Sequence, residues 1–372
     1  MFLLRFNATS VWRADEVKNR LGWYYKVMTD SAPARFLICG RVPVEGDLGS
    51  LPTSDLWRKH VEASNELRGV LRVIEAGATR LADLEAPDQS FLDLKVELAN
   101  RMVSECHLCE WRCGVDRWQG KKGVCKLDAR SRITSYFHHF GEEAPLIGEN
   151  MGGSGTIFFS GCVFHCVFCQ NHDISQRPEV GQVADGPAIA DIAEKLRNTG
   201  AANINFVGGD PIPNIHNILD GMNRMRVNVP MLWNSDMYMT REALQLLWDV
   251  IDIWLPDFKY GNDACARRLS RVRNYFGVVS RNHLRACEGA DMIIRHLVMP
   301  NHLDCCTKPV LRFIAENMRG VLVNVMGQYH PDYLVLSKGD RYQEIARRLT
   351  PSEIREAHAI AQELGLAYKP VS

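Results

Sequence analysis

Three cysteines of the 372-residue chain, Cys162, Cys166 and Cys169, stand in one short run, GCVFHCVFCQN. An apolar stretch precedes them, so a tight loop after a strand would present three thiols to a single metal centre. Soft thiolates suit iron–sulfur clusters and zinc. A structural zinc site takes four protein ligands and only three are local, which favours a [4Fe–4S] cluster with one iron left open. Zinc or unligated buried thiols are the alternatives. A second set, Cys106, Cys109, Cys113 and Cys125, is interleaved with Gly114, Gly120 and Gly123 as turn formers. Four thiols at that spacing predict a closed shell for zinc, a single iron or an auxiliary iron–sulfur cluster, in a structural or electron-relay role.

The chain holds 12 cysteines in all, more than a reducing compartment would spend on a disulfide framework. Cys39, Cys265 and Cys287 are scattered, and the adjacent Cys305 and Cys306 read as small, partly buried residues. His138 and His139 read as surface or hydrogen-bonded groups. Lys plus Arg equals Asp plus Glu at 44 each, so no long-range field favours a nucleic-acid or membrane-surface partner. Arg112, Arg117, Lys121, Lys122 and Lys126 make a local basic cluster, expected to be a solvated face. No apolar run reaches transmembrane length, and MFLLRF is too short for a signal-peptide core. The match of Asn7-Ala8-Thr9 to a glycosylation acceptor is attributed to chance. A cytoplasmic protein is expected.

The elements that must position these cysteines follow from periodicity. From Gly155 onward, short β-branched or aromatic runs alternate with amphipathic helical patterns: strands are predicted at 155–160, 203–208, 231–235, 252–258, 292–299 and 321–327. Six such units predict an α/β fold, a partial (β/α)6 barrel whose chemistry sits at the carboxyl ends of its strands. Those ends carry Cys162, Gly208 to Asp210, Asn234, Asp257, Met299 and Gln328. Helices are predicted at 54–76, 90–104, 340–349 and 351–364. The expected organisation is an N-terminal, mainly helical extension (1–105), a cysteine-rich metal-binding segment (106–150), the barrel (151–335) and C-terminal helices packed on it (336–372).

At Cys162, Cys166 and Cys169, with Phe168 before the last cysteine, the sequence resembles the radical S-adenosylmethionine (SAM) superfamily. More narrowly, CHLC, CGVDR, HHFGEEAPL, NFVGGDP, LWNSDMY, IWLPDFKY, IIRHLVMP and VNVMGQYHP resemble an uncharacterised branch related to the pyruvate formate-lyase activating enzyme. The likeness spans about residues 106–331 and does not reach residues 1–100. It implies an oxidoreductase in which the cluster reduces SAM and a 5′-deoxyadenosyl radical abstracts hydrogen from a substrate, a protein glycine in the activating enzymes. It also implies an electron donor such as flavodoxin or ferredoxin. The residues it implies around SAM are Phe168, Gly208, Gly209, Asp210, Asn234, Ser235, Asp257, Lys259 and His330. Asp210 stands where the family has Glu, and Glu110-Trp111-Arg112 where a proline-containing step is expected. Modification of a peptide, RNA or small molecule, including methylation or sulfur insertion, is the rival activity. A non-catalytic iron–sulfur or zinc protein is the rival class.

Overall fold

In the computed structural model, which describes residues 8–372, one eight-stranded sheet organises the chain in the order β3-β1-β2-β4-β5-β6-β7-β8. The opening MFLLRF and Asn7 lie outside the described residues. Six strands are parallel neighbours: β2 (Ser154–Phe159), β4 (Ile204–Gly208), β5 (Met231–Trp233), β6 (Ile253–Trp254), β7 (Asp291–Leu297) and β8 (Leu322–Met326). They are the six predicted from sequence, and β2 and β8 do not pair, so the barrel is open. Two strands escaped the sequence reading. β1 (Ser131–His139) runs antiparallel along β2, and β3 (Gln182–Ala184) pairs with β1. β1 alternates too weakly, with Tyr136 and Phe137 exposed, to stand out as a strand.

Between the parallel strands run the crossover helices Gly186–Asn198, Ile215–Arg224, Arg241–Trp248, Tyr275–Cys287 and Lys308–Asn317. Polar side chains fix where several helices begin: Asp185, Thr240 and Asn262 accept from the backbone N–H groups of Ala188, Ala243 and Cys265. The N-terminal helices Thr53–Glu75 and Phe91–Ser104 form as expected, with Lys95 of the second buried at 2.8 Å from Asp249. Pro351–Glu363 forms too, but 340–349 does not become a helix; only short turns, Gly339–Arg341 and Gln343–Ile345, occupy it. Its carbonyls are engaged elsewhere. Those of Arg341, Glu344 and Ile345 accept from Arg268, Asn301 and Tyr329, which deprives a helical ladder of acceptors.

Side chains alternate along each strand, so every second residue faces the interior. The interior is therefore layered. At the amino ends, Leu232, Ile253, Leu255, Ile293 and Leu322 pack in one apolar cluster with Trp12, Val17, Leu21 and Tyr24, so the N-terminal segment plugs that end. Trp23 Nε1 and Tyr24 N donate to Asp252 and Asp291 at the strand starts, both at 2.8 Å. Ala144 and Leu146 join the same cluster, which draws the chain before them, Glu142 and Glu143, into the barrel. One layer nearer the carboxyl ends the inward residues turn polar: Asn205, Asn234, Asp257, Arg295 and Asn324.

Candidate functional site

Above that polar layer lies a cavity of about 450 Å³. Cys162, Cys166, Phe168 and Cys169 line it from the loop after β2, and Gly208, Gly209, Asn234, Ser235, Asp257 and Lys259 from the ends of β4, β5 and β6. Ten of the sequence-predicted residues thus share one cavity. Asp210 and His330 do not line it.

The cysteine loop is held by its neighbours. Gly208 has φ +127°, and a Cβ there would meet Phe159 O at 2.2 Å; one on Gly209 would meet Gly161 O at 1.9 Å. Only glycines allow this approach, and it is locked by Gly209 N donating to Phe159 O at 2.8 Å and Asp210 N to Gly161 O at 2.9 Å. The Asp210 carboxylate accepts from Ile212 N (2.8 Å) and Asp236 N (3.2 Å), bracing the end of β4 against that of β5. Each thiol has a polar neighbour: Cys162 donates to Asp236 at 3.7 Å, Cys166 lies 2.9 Å from Ser270 Oγ, and Cys169 lies 3.2 Å from Ser175 Oγ. Burial raises all three pKa values above the ordinary thiol range, so metal binding must displace their protons. Phe168 meets Tyr329 edge-on at 5.7 Å.

The floor is a network of buried charges. Lys259 bonds to Asp236 and, at 2.6 Å, to Asp257; Arg295 bonds to Asp257 at 2.8 Å and to Asn234. Burial would raise the pKa of Asp257, but the charges of Arg295 and Lys259 outweigh it and bring it down to about 2. Glu142, 4.0 Å from Arg295 and 3.1 Å from His139, is held below the carboxylate range by those two partners against its burial. Glu143 is pushed up to about 7 by burial and the Glu142 charge; Asn324 donates to its Oε1 at 2.7 Å and its Oε2 has no partner. Asn234 Nδ2 is likewise buried without a partner beside the cavity. Sequence reading missed Asp236, Glu142 and Glu143. Asp236 directly follows Asn234 and Ser235 and could have been found; the two glutamates could not, because only the plug brings them inward. His139, read as surface or hydrogen-bonded, is bonded to Glu142 and lines the cavity.

The upstream cysteines share one neighbourhood without closing. Burial raises the Cys109 pKa, with smaller contributions from Cys125, Cys106 and Cys113. Among the described residues, two sets of three or more ligand atoms lie within 4.8 Å of one another: Cys162 with Asp210 and Asp236, and Cys265, His302, Cys305 and Cys306. Neither the three loop cysteines nor the upstream four form such a set. Arg117 corrects the expected solvated basic face: it is 1% exposed and donates to Asp128 O and Pro213 O.

Residues 149–272 match the family described as a 4Fe-4S single cluster domain, which supports a cluster at this site. Structures of Streptococcus suis SuiB and of SuiB bound to precursor peptide SuiA align with 56% of this chain at TM-scores of 0.39 and 0.40 and 12% and 13% identity. The alignment covers 44% and 46% of those chains. Among the described residues no helix is long and apolar enough to cross a membrane. The uncharacterized protein MJ0674 of Methanocaldococcus jannaschii is 42% identical over 353 residues, 93% of this chain and 98% of that one, and this chain belongs to the same family.

Proposed function

We propose that this chain is a radical SAM enzyme whose cluster is held by Cys162, Cys166 and Cys169. The observation that carries this reading is the convergence of three thiols from one loop on a cavity floored by buried, partnered charge. When bound, a [4Fe–4S] cluster and SAM together supply one-electron cleavage of a sulfonium C–S bond and a radical able to abstract hydrogen.

The chain's own groups fit that task. Gly208 and Gly209 leave backbone open to an amino group, and the Asn234 amide has a free donor. Lys259 is fixed by Asp236 and Asp257 and presents positive charge to a carboxylate. Phe168 and Phe164 line the cavity beside the thiols as apolar walls. The four upstream cysteines are proposed as a second metal site. For the substrate, we favour the glycine of a partner protein, with reducing equivalents from a flavodoxin or ferredoxin in the cytoplasm; this rests on the sequence resemblance.

The test is 5′-deoxyadenosine formation by anaerobically reconstituted, reduced protein. The wild type forms it, and Cys162→Ala, Cys166→Ala and Cys169→Ala lose the cluster of this loop and the product with it. Retention of SAM binding and of a four-iron cluster with no cleavage, in the presence of candidate partners, would favour the non-catalytic iron–sulfur reading.

A further inference from the structure

Cys265 opens the Asp263–Ser270 helix, while His302, Cys305 and Cys306 come from the turn after β7. That turn is a single π-helical turn, Leu303–Thr307, in which both Cys306 N and Thr307 N donate to His302 O, at 2.9 and 3.1 Å. Widening the turn by one residue is a deformation found frequently at functional positions. Here it lets two consecutive cysteines face one point.

The spacing at that point is close to that of a tetrahedron. A zinc–sulfur bond of about 2.3 Å sets a sulfur–sulfur edge of about 3.8 Å, and a zinc–nitrogen bond of about 2.0–2.1 Å a nitrogen–sulfur edge of about 3.6 Å. Cys265 Sγ to Cys305 Sγ and Cys305 Sγ to Cys306 Sγ are each 3.8 Å. His302 Nδ1 lies 3.7, 3.2 and 3.7 Å from the sulfurs of Cys265, Cys305 and Cys306. Thiols alone explain this poorly, since one S–H can satisfy Nδ1 and the other two then face sulfur. Asn262 supports the set, donating to Cys265 Sγ at 3.3 Å and to Cys305 O at 2.8 Å. It thereby ties the loop after β6 to the loop after β7.

We infer that Cys265, His302, Cys305 and Cys306 bind one zinc(II) ion in a closed, structural Cys3His site. The site joins two neighbouring βα loops and anchors the start of the helix whose last residue, Ser270, touches Cys166. The same helix takes backbone bonds from the cysteine loop, Val167 N to Leu269 O at 2.8 Å and His165 N to Ser270 O at 3.1 Å. Zinc here buttresses the loop of the first cavity without entering it.

Zinc per chain is counted in the full chain carrying Cys109→Ser and Cys125→Ser, so that upstream metal does not contribute. About one equivalent is expected, lost on adding Cys265→Ser with Cys305→Ser and kept on adding Cys162→Ala instead. Zinc content unmoved by the Cys265/Cys305 change would overturn the inference. A second measurement needs no variant: alkylation of the zinc-loaded wild-type chain, mapped by peptide. Cys265, Cys305 and Cys306 should react slowly until a chelator is added; equal rates before and after, or a disulfide among them, would overturn it.

Discussion

The two halves of the barrel interior are different materials. Toward the amino ends, strand residues meet Trp12, Val17 and Leu21 in an apolar plug; toward the carboxyl ends, Lys259, Arg295, Asp236, Asp257, Glu142 and Glu143 meet one another. The plug is stabilised by area removed from water and tolerates few voids. The charged layer carries the desolvation cost of each ion, repaid only while every partner remains. One half therefore holds the fold and the other is poised to hold a ligand, and each should fail in its own way when cut.

The largest effects come from cutting each half once. Trp12→Ala should cost about 3–5 kcal/mol in denaturant unfolding by leaving a cavity, with SAM cleavage per folded molecule unchanged. Arg295→Met should cost a similar ~3–5 kcal/mol because Asp257 and Glu142 each lose one of two partners in a buried place, and cleavage should fall with it. Equal loss of cleavage in both variants would erase the distinction between the halves.

A titration sharpens the same contrast. Glu143 has an ordinary value of 4.5 and is pushed up to about 7 in the fold, so the native state binds its proton more tightly than the unfolded chain does. Its contribution to stability is full below pH 4.5 and is lost as pH rises through about 7. Asp252 and Asp291, raised to about 6 and about 7 at the amino ends, titrate in overlapping windows. The informative quantity is thus the difference between wild type and Glu143→Gln. The variant should be more stable at pH 8 by up to roughly 3 kcal/mol and show a shallower loss of stability between pH 5 and 8. Parallel unfolding curves across that range would mean that Glu143 stays ionised. Read in ligand affinity, Lys259→Met should weaken SAM binding about tenfold, or ~1.4 kcal/mol, by equilibrium dialysis.

How far the sequence could be read follows the same division. The parallel strands were legible because burial on both faces leaves continuous apolar runs, and the loop of Cys162, Cys166 and Cys169 because its ligands are close in sequence. The Cys265, His302, Cys305 and Cys306 set was not, since two loops separated by β7 supply it and the wider turn that aligns Cys305 with Cys306 leaves no spacing signature. Glu142 and Glu143 were hidden for a related reason: Ala144 and Leu146 pull them inward, and nothing in a local window marks that segment as interior. Residues 340–349 looked helical by composition, and tertiary acceptor use overrode it.

His330 supplies the smallest effect and the finest test of where the site ends. Its likeness to a family histidine near the adenosyl group would put it against the ligand, yet it does not line the cavity. Its side chain keeps 35% of its exposure, lies 3.9 Å from Asp332, and has Nδ1 3.2 Å from Pro331 O. Neighbouring Tyr329 is instead buried, with its hydroxyl on Ile345 O at 2.7 Å and its ring against Phe168. The contact from this segment to the cavity wall thus runs through Tyr329. His330→Ala should shift stability by less than about 0.5 kcal/mol and SAM affinity by less than about twofold, under ~0.4 kcal/mol. A tenfold loss in affinity with stability unchanged would show that the segment swings His330 onto bound ligand, moving the boundary of the charged half outward past β8.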